Sequence, residues 1–298
     1  MNETLTATTS TKSLRWTALA YAVIGSAAFL AVFRLFVTTT AGQRVDEVAF
    51  QGSALGRTAL WRFADPILDV VSISFVALVI IVAATVALLR QRWLLIVQVG
   101  IVMGGANIAT QLFKKLVERP DLGVVGTVGP APGINTLPSG HTTVAMTATI
   151  AILLVVPPKL RPVIAIIGTA YAAGTGVSTL IGGWHRASDV VAGMLMTFIF
   201  TALALVIDKP RTRKATTDHV AAIVLGTIAV IAAIISLWAL ITVWQNQGVD
   251  PFYDHVYARA GLSRRELFTA YAGGALGCVS VACAIVAAVL LLLQRRGD

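Results

Sequence analysis

Two histidines and an aspartate stand out in a mostly apolar chain: His141 in Pro138-Ser139-Gly140-His141, and His185 four residues before Asp189. An imidazole and a carboxylate at that spacing share one face of a helix that begins near the histidine. A carboxylate accepting from Nδ1 fixes the tautomer and leaves Nε2 free to act as a nucleophile. A Ser N-cap followed by Gly opens a helix whose first amides point outward, and such an end is a ready anion site. His141 stands beside that end and could protonate a leaving oxygen. Lys114, Lys115 and Arg119 add cations upstream, with Asn107 and Gln111 on the same helical face as the lysines. A nucleophile, an acid, N–H donors and cations are the parts that phosphoryl transfer needs.

Singly, each part has an ordinary explanation. Aspartate is common in a first helical turn, a capped helix can carry a surface histidine, and lysines near a membrane helix end snorkel. Their convergence is what points to chemistry. Two histidines and a carboxylate could also bind zinc, but the adjacent cations oppose a metal ion. No metal and no other cofactor is therefore expected, and no phosphate-cradling nucleotide loop occurs.

The elements that must bring these residues together are membrane spans. The chain of 298 residues is 57% hydrophobic and only 12% charged, against about 25% charged in soluble domains. Crossing the hydrocarbon takes about 20 apolar residues of helix. Eight runs qualify or nearly do: Trp16–Val37, Ile67–Leu89, Trp93–Phe113, Ser139–Val156, Val163–Trp184, Ser188–Ile207, Val220–Trp244 and Leu267–Leu293. The fold class expected is all-α, a polytopic transmembrane bundle with a six-helix core and a C-terminal two-helix hairpin. Successive spans alternate direction. The end of the third, the start of the fourth, the end of the fifth and the start of the sixth therefore share one membrane face, and all the residues above lie there.

The net charge of +9 does not indicate nucleic acid, because the basic residues sit at span ends rather than on a soluble module. Tight clusters at Arg90–Arg92, Lys159–Arg161 and Lys209–Lys214 mark those loops as cytoplasmic. Both termini are then cytoplasmic, in a plasma-membrane protein whose site faces outward. Residues 1–15 read as a disordered cytoplasmic tail, 16–208 as the core, 209–218 as a basic linker and 219–298 as two additional spans. Cys278 and Cys283 lie in one helical run, too far apart along it for a disulfide.

Pro138-Ser139-Gly140-His141 followed by His185-x-x-x-Asp189 on a six-span core resembles the type 2 phosphatidic acid phosphatase family, over roughly Trp16 to Asp208. The resemblance implies that His185 forms a phosphohistidine, Asp189 orients it and His141 is the general acid. It implies that Lys114, Ser139 and Gly140 hold the phosphate. Two arginines of the family pattern are absent: Asp121 and Thr179 occupy their positions. Arg119 and Arg186 are near enough in sequence to substitute. The implied partners are membrane lipids and a lipid phosphate substrate, with a polyprenyl phosphate or diphosphate carrier first and phosphatidic acid or phosphatidylglycerol phosphate next. A phosphotransferase using the loop Gln245–Glu266 as acceptor site, with Phe252, Tyr253 and Tyr257, is a second class. A non-catalytic binder or transporter is a third.

Overall fold

The computed structural model describes residues 2–55, 57–69, 73–89, 91–125, 134–207, 216–246, 256–257 and 262–294. Among them the chain forms α1 (Asn2–Val37), α2 (Thr40–Ser53), α3 (Arg57–Asp69), α4 (Ile73–Leu89), α5 (Trp93–Val99), α6 (Ala106–Leu116), α7 (Gly140–Val155), α8 (Arg161–Ile181), α9 (Ala187–Val206), α10 (Thr216–Asn246) and α11 (Arg264–Gln294). A π-helical segment, Gly100–Gly105, joins α5 to α6 in one continuous rod. Two-residue strands at Val124–Val125 and Val256–Tyr257 pair in parallel.

Among the described residues, six stretches are long and apolar enough to cross a membrane: Leu14–Val37, Trp93–Leu116, Pro158–Ile181, Ala187–Val206, Asp218–Gln245 and Arg264–Gln294. Ala77–Leu89 and Gly140–Val155 are shorter apolar helices. The protein is a multi-pass membrane bundle, and its outer surface fits that solvent. Val230, Ile231, Ile234, Leu237 and Trp238 all point outward from α10, an apolar stripe too large for a soluble monomer's surface.

Two elements differ from the sequence reading. The expected tail is helical from Asn2 and continuous with the first span. The expected second span, Ile67–Leu89, falls on the end of α3 and on α4, with residues 70–72 outside the described residues. The second difference is α2, which no apolar run announces. It buries Gln43, Arg44, Asp46, Glu47 and Gln51 together with Val45, Val48 and Phe50. Polar groups survive such burial only with partners. Gln43 Nε2 donates to Val37 O at 2.7 Å and to Pro120 O at 2.9 Å, and the acids of α2 find theirs at the site described below.

The last two helices pack along each other, but α11 also packs on α2, α8 and α9, so the hairpin is part of the bundle wall. The basic cluster Lys209–Lys214 lies outside the described residues, as do Phe252 and Tyr253 of the loop before α11. Cys278 and Cys283 are both buried and free.

Candidate active site

The nucleophile candidate is aimed by a helix ending. α8 stops in a Schellman pattern: Trp184 N donates to Thr179 O at 3.0 Å, and Gly183 N to Leu180 O at 3.0 Å. The residue that reverses the chain must adopt positive φ, and Gly183 does so at φ 70°. A Cβ there would also strike the Arg57 guanidinium. His185 N is held by the same Thr179 carbonyl at 3.3 Å. His185 itself lies in the short link before α9, not on a helix, and is 8% exposed.

Asp189 is the third residue of α9. Its side chain turns back over the helix start, where Arg186 N donates to Oδ2 at 2.9 Å. The same oxygen accepts from Thr136 Oγ1 at 2.7 Å and lies 3.4 Å from His185 Nδ1. The histidine contact is long for a hydrogen bond, as resting sites often are before substrate tightens them. The pair therefore meets through the capping geometry of the carboxylate rather than through two side chains on one helical face. Thr136, three residues before Ser139, carries no motif that marks it from sequence.

The opposing wall is the start of α7. Ser139 is its N-cap, and its hydroxyl oxygen accepts from Thr142 N at 3.4 Å and from Thr142 Oγ1 at 3.0 Å. Ser139 is fully buried, so its hydroxyl shapes the turn. The amides of Gly140 and His141 in the first turn have no intrahelical acceptor, an arrangement that can receive an anion. The two helix starts are joined directly, since Ser139 N donates to Asp189 O at 2.8 Å. That approach requires Gly193, where a Cβ would stand 2.7 Å from Ser139 O. Thr143 braces the junction, donating to Ser139 O at 2.8 Å and meeting Thr110 Oγ1 at 3.2 Å.

The His141 and His185 rings are 6.3 Å apart between centroids and steeply inclined to each other. Trp184 packs against His141 at 5.3 Å and against Trp61 of α3 at 6.0 Å. Sequence reasoning overlooked this aromatic wall. It also overlooked Arg57, whose Nε donates to Ile181 O at 2.9 Å at the end of α8. Lys114 is half-buried near the end of α6 and lies within electrostatic range of Asp189 and His141. Lys115 is exposed, and Asn107 turns inward to Met103 O at 2.7 Å and Thr147 Oγ1 at 3.3 Å.

The two arginines expected to substitute separate here. Arg119 is 7% exposed, its Nη2 donates to Phe36 O at a long 3.4 Å, and its Nη1 is buried without a hydrogen-bond partner. Burial, then the Arg186 charge, pull its pKa below the ordinary arginine value, while Asp46, Asp189 and Glu47 oppose that. Arg186 points elsewhere. Its Nε and Nη2 reach Glu47 Oε2 at 2.9 and 2.8 Å, and its guanidinium packs 5.4 Å from the Phe50 ring. Burial works against the Arg186 charge, but Glu47, Asp189 and Asp46 outweigh it and raise its pKa. Arg186 therefore has two of its three guanidinium nitrogens on Glu47. Burial, then Asp189, push Asp46 up to about 6.

Thr179 is buried and donates to Gly176 O at 2.7 Å, while the exposed Asp121 accepts from Gly123 N at 3.0 Å. Among the described residues, no three His, Cys, Asp or Glu side chains converge as a metal site.

Residues 95–213 match the model of the PAP2 superfamily. The fold is similar to the crystal structure of a transmembrane PAP2-type phosphatidylglycerolphosphate phosphatase from Bacillus subtilis, at 23% sequence identity and a TM-score of 0.50, over 61% of this chain and 93% of that one. No curated protein sequence matches significantly.

Proposed function

We propose that this multi-pass membrane protein, whose residues 95–213 match the PAP2 superfamily model, removes phosphate from a membrane lipid through a phosphohistidine at His185. The observation that carries this reading is the joining of the His185–Asp189 pair to the capped start of α7, with Ser139 N on Asp189 O at 2.8 Å. In the first step His185 Nε2 bonds to phosphorus as the bond from phosphorus to the lipid oxygen breaks. His141 gives its proton to that oxygen. Asp189 holds Nδ1 and stabilises the charge that develops on the ring. Lys114, Arg119 and the amides of Gly140 and His141 meet the equatorial oxygens. In the second step water attacks phosphorus, His141 takes its proton, and inorganic phosphate leaves as His185 is regenerated.

A site at the headgroup level between helices suits an amphiphile whose tail stays in lipid. A polyprenyl phosphate or diphosphate carrier is the first substrate to test, and an outward-facing site would make the role carrier recycling. Phosphatidylglycerol phosphate is the second, because the similar Bacillus subtilis protein is described as acting on it. The deciding experiment is phosphate release by the purified protein from a panel of these lipids and phosphatidic acid. Release of inorganic phosphate supports the hydrolase. Loss of lipid phosphate without inorganic phosphate would identify a transferase, and no loss with any lipid would leave a binder or transporter.

The outward orientation has its own test. A cysteine placed between Asp121 and Asn135 is expected to react with an impermeant thiol reagent on intact cells. One placed between Lys209 and Asp218 is expected to react only after the membrane is opened. The opposite pattern would move the site to the cytoplasm and end the carrier-recycling role.

The site offers cations where a two-metal enzyme offers carboxylates. Excess chelator is therefore expected to leave the rate unchanged. Vanadate is expected to inhibit, because five-coordinate vanadium bonded to His185 resembles the transition state. A strict requirement for magnesium or zinc would contradict this mechanism.

A further inference from the structure

Helix α2 lies outside the stretch that matches the family model, residues 95–213, yet it holds the nucleophile's turn from both sides of Ala187. Asp46 accepts from Ser188 N at 3.2 Å and from Ser188 Oγ at 2.5 Å. Glu47 accepts from Arg186 Nε at 2.9 Å and Nη2 at 2.8 Å. Glu47 is itself fixed, since its Oε1 accepts from Gln51 Nε2 at 2.6 Å. All four groups of this contact are buried: Asp46 is 3% exposed, Glu47 2%, Arg186 8% and Ser188 4%.

Stability alone is a weak reason for this arrangement. Removing two acids and a guanidinium from water costs several kcal/mol per ion, and apolar replacements of similar volume are often as stable or more so. What the contact does supply is position. His185 stands in a short link between Gly183 and the N-cap Arg186. Its upstream side is pinned by the Thr179 carbonyl, at 3.3 Å from His185 N. Its downstream side is pinned by α2. An in-line attack on phosphorus tolerates little displacement, and a shift of about 1 Å can lower a rate by about 100-fold.

We propose that the Asp46–Glu47 pair of α2 is a positioning clamp that fixes the His185 turn against the start of α9. Asp46 completes the helix N-terminus by accepting from Ser188, and Glu47 draws Arg186 away from the phosphate pocket. Neither touches the substrate. The inference rests on the phosphatase reading, and its test is separable from that reading. Phosphate release by the unaltered protein and its loss in His185→Ala examine the mechanism, whereas α2 variants examine the clamp.

The experiment measures kcat, KM and vanadate inhibition for Glu47→Gln, Asp46→Ala and Asp46→Asn in the full-length protein, with thermal stability recorded alongside. Glu47→Gln and Asp46→Ala are expected to lower kcat about fivefold, with KM changed less than about twofold because the phosphate ligands stay in place. Vanadate inhibition is expected to weaken in parallel, since it depends on where Nε2 points. Asp46→Asn keeps an acceptor for Ser188 N and is expected to recover most of the rate. Glu47→Gln combined with Arg186→Gln removes the buried unpaired charge and is expected to be more active than Glu47→Gln alone. Should Asp46→Ala fail to fold, this double-mutant comparison decides. Folded Glu47→Gln with unchanged kcat and unchanged vanadate inhibition would overturn the clamp.

Discussion

His185→Ala is expected to abolish phosphate release, by at least about 10³-fold or roughly 4 kcal/mol of transition-state stabilisation, while the protein folds normally. The chemical half of this expectation follows from the two-step route. Without Nε2 no phosphorus–nitrogen bond forms, and water must attack the lipid phosphate unaided. The structural half follows from what the imidazole does not hold. Asp189 Oδ2 keeps Thr136 Oγ1 at 2.7 Å and Arg186 N at 2.9 Å when the ring is removed. The start of α9 therefore remains capped, and the Schellman ending of α8 uses backbone groups alone. Measurement of inorganic phosphate from any accepted lipid, beside a thermal melt in detergent, checks both halves. A well-folded variant with full turnover would remove His185 from the mechanism.

How much of this site was legible depends on how far apart its partners lie in the chain. The Ser139 cap reads directly from Ser-Gly-His before an apolar run, because capping is a local interaction across three residues. The His185–Asp189 pair also reads locally, although its geometry comes from a carboxylate folding back over the helix start. Six of the eight apolar runs read from hydropathy as helices long enough to span, among the described residues, since lipid demands long stretches of one character. α2 did not read, because its polar residues mimic a solvent-exposed connection. Their burial makes sense only with Ser188 and Arg186, 142 and 139 residues away. Thr136 is hidden for the same reason, its partner Asp189 lying 53 residues on. The π-helical segment Gly100–Gly105 leaves no mark in an apolar pattern that tolerates either register. Arg186 shows a related limit: its adjacency to the nucleophile reads from sequence, but its contact with Glu47, 139 residues away, does not.

Arg119→Lys is expected to lower kcat at least tenfold, which corresponds to about 1.4 kcal/mol or more. A transferring phosphoryl group spreads negative charge over its equatorial oxygens, and fixed donors must meet it. This chain lacks a cation at both Asp121 and Thr179, and Arg186 is engaged by Glu47. Arg119 is a buried guanidinium beside Asp189 and Asp46 in charge terms, with Nη1 lacking a hydrogen-bond partner. A buried donor left unsatisfied costs about 1–3 kcal/mol, a penalty that an incoming phosphate oxygen would relieve. Lysine keeps the charge but loses the planar fork that can span two oxygens at once. Its ammonium, placed among the same groups, can meet only part of the charge. The loss is expected mainly in kcat, with vanadate inhibition weakened as well, because both depend on the five-coordinate geometry. Arg186→Lys is expected to lose less, since its contribution passes through the position of the turn rather than through contact with phosphate. Normal turnover by Arg119→Lys on an accepted lipid would mean that Lys114 and the amides of Gly140 and His141 carry the phosphate without a guanidinium.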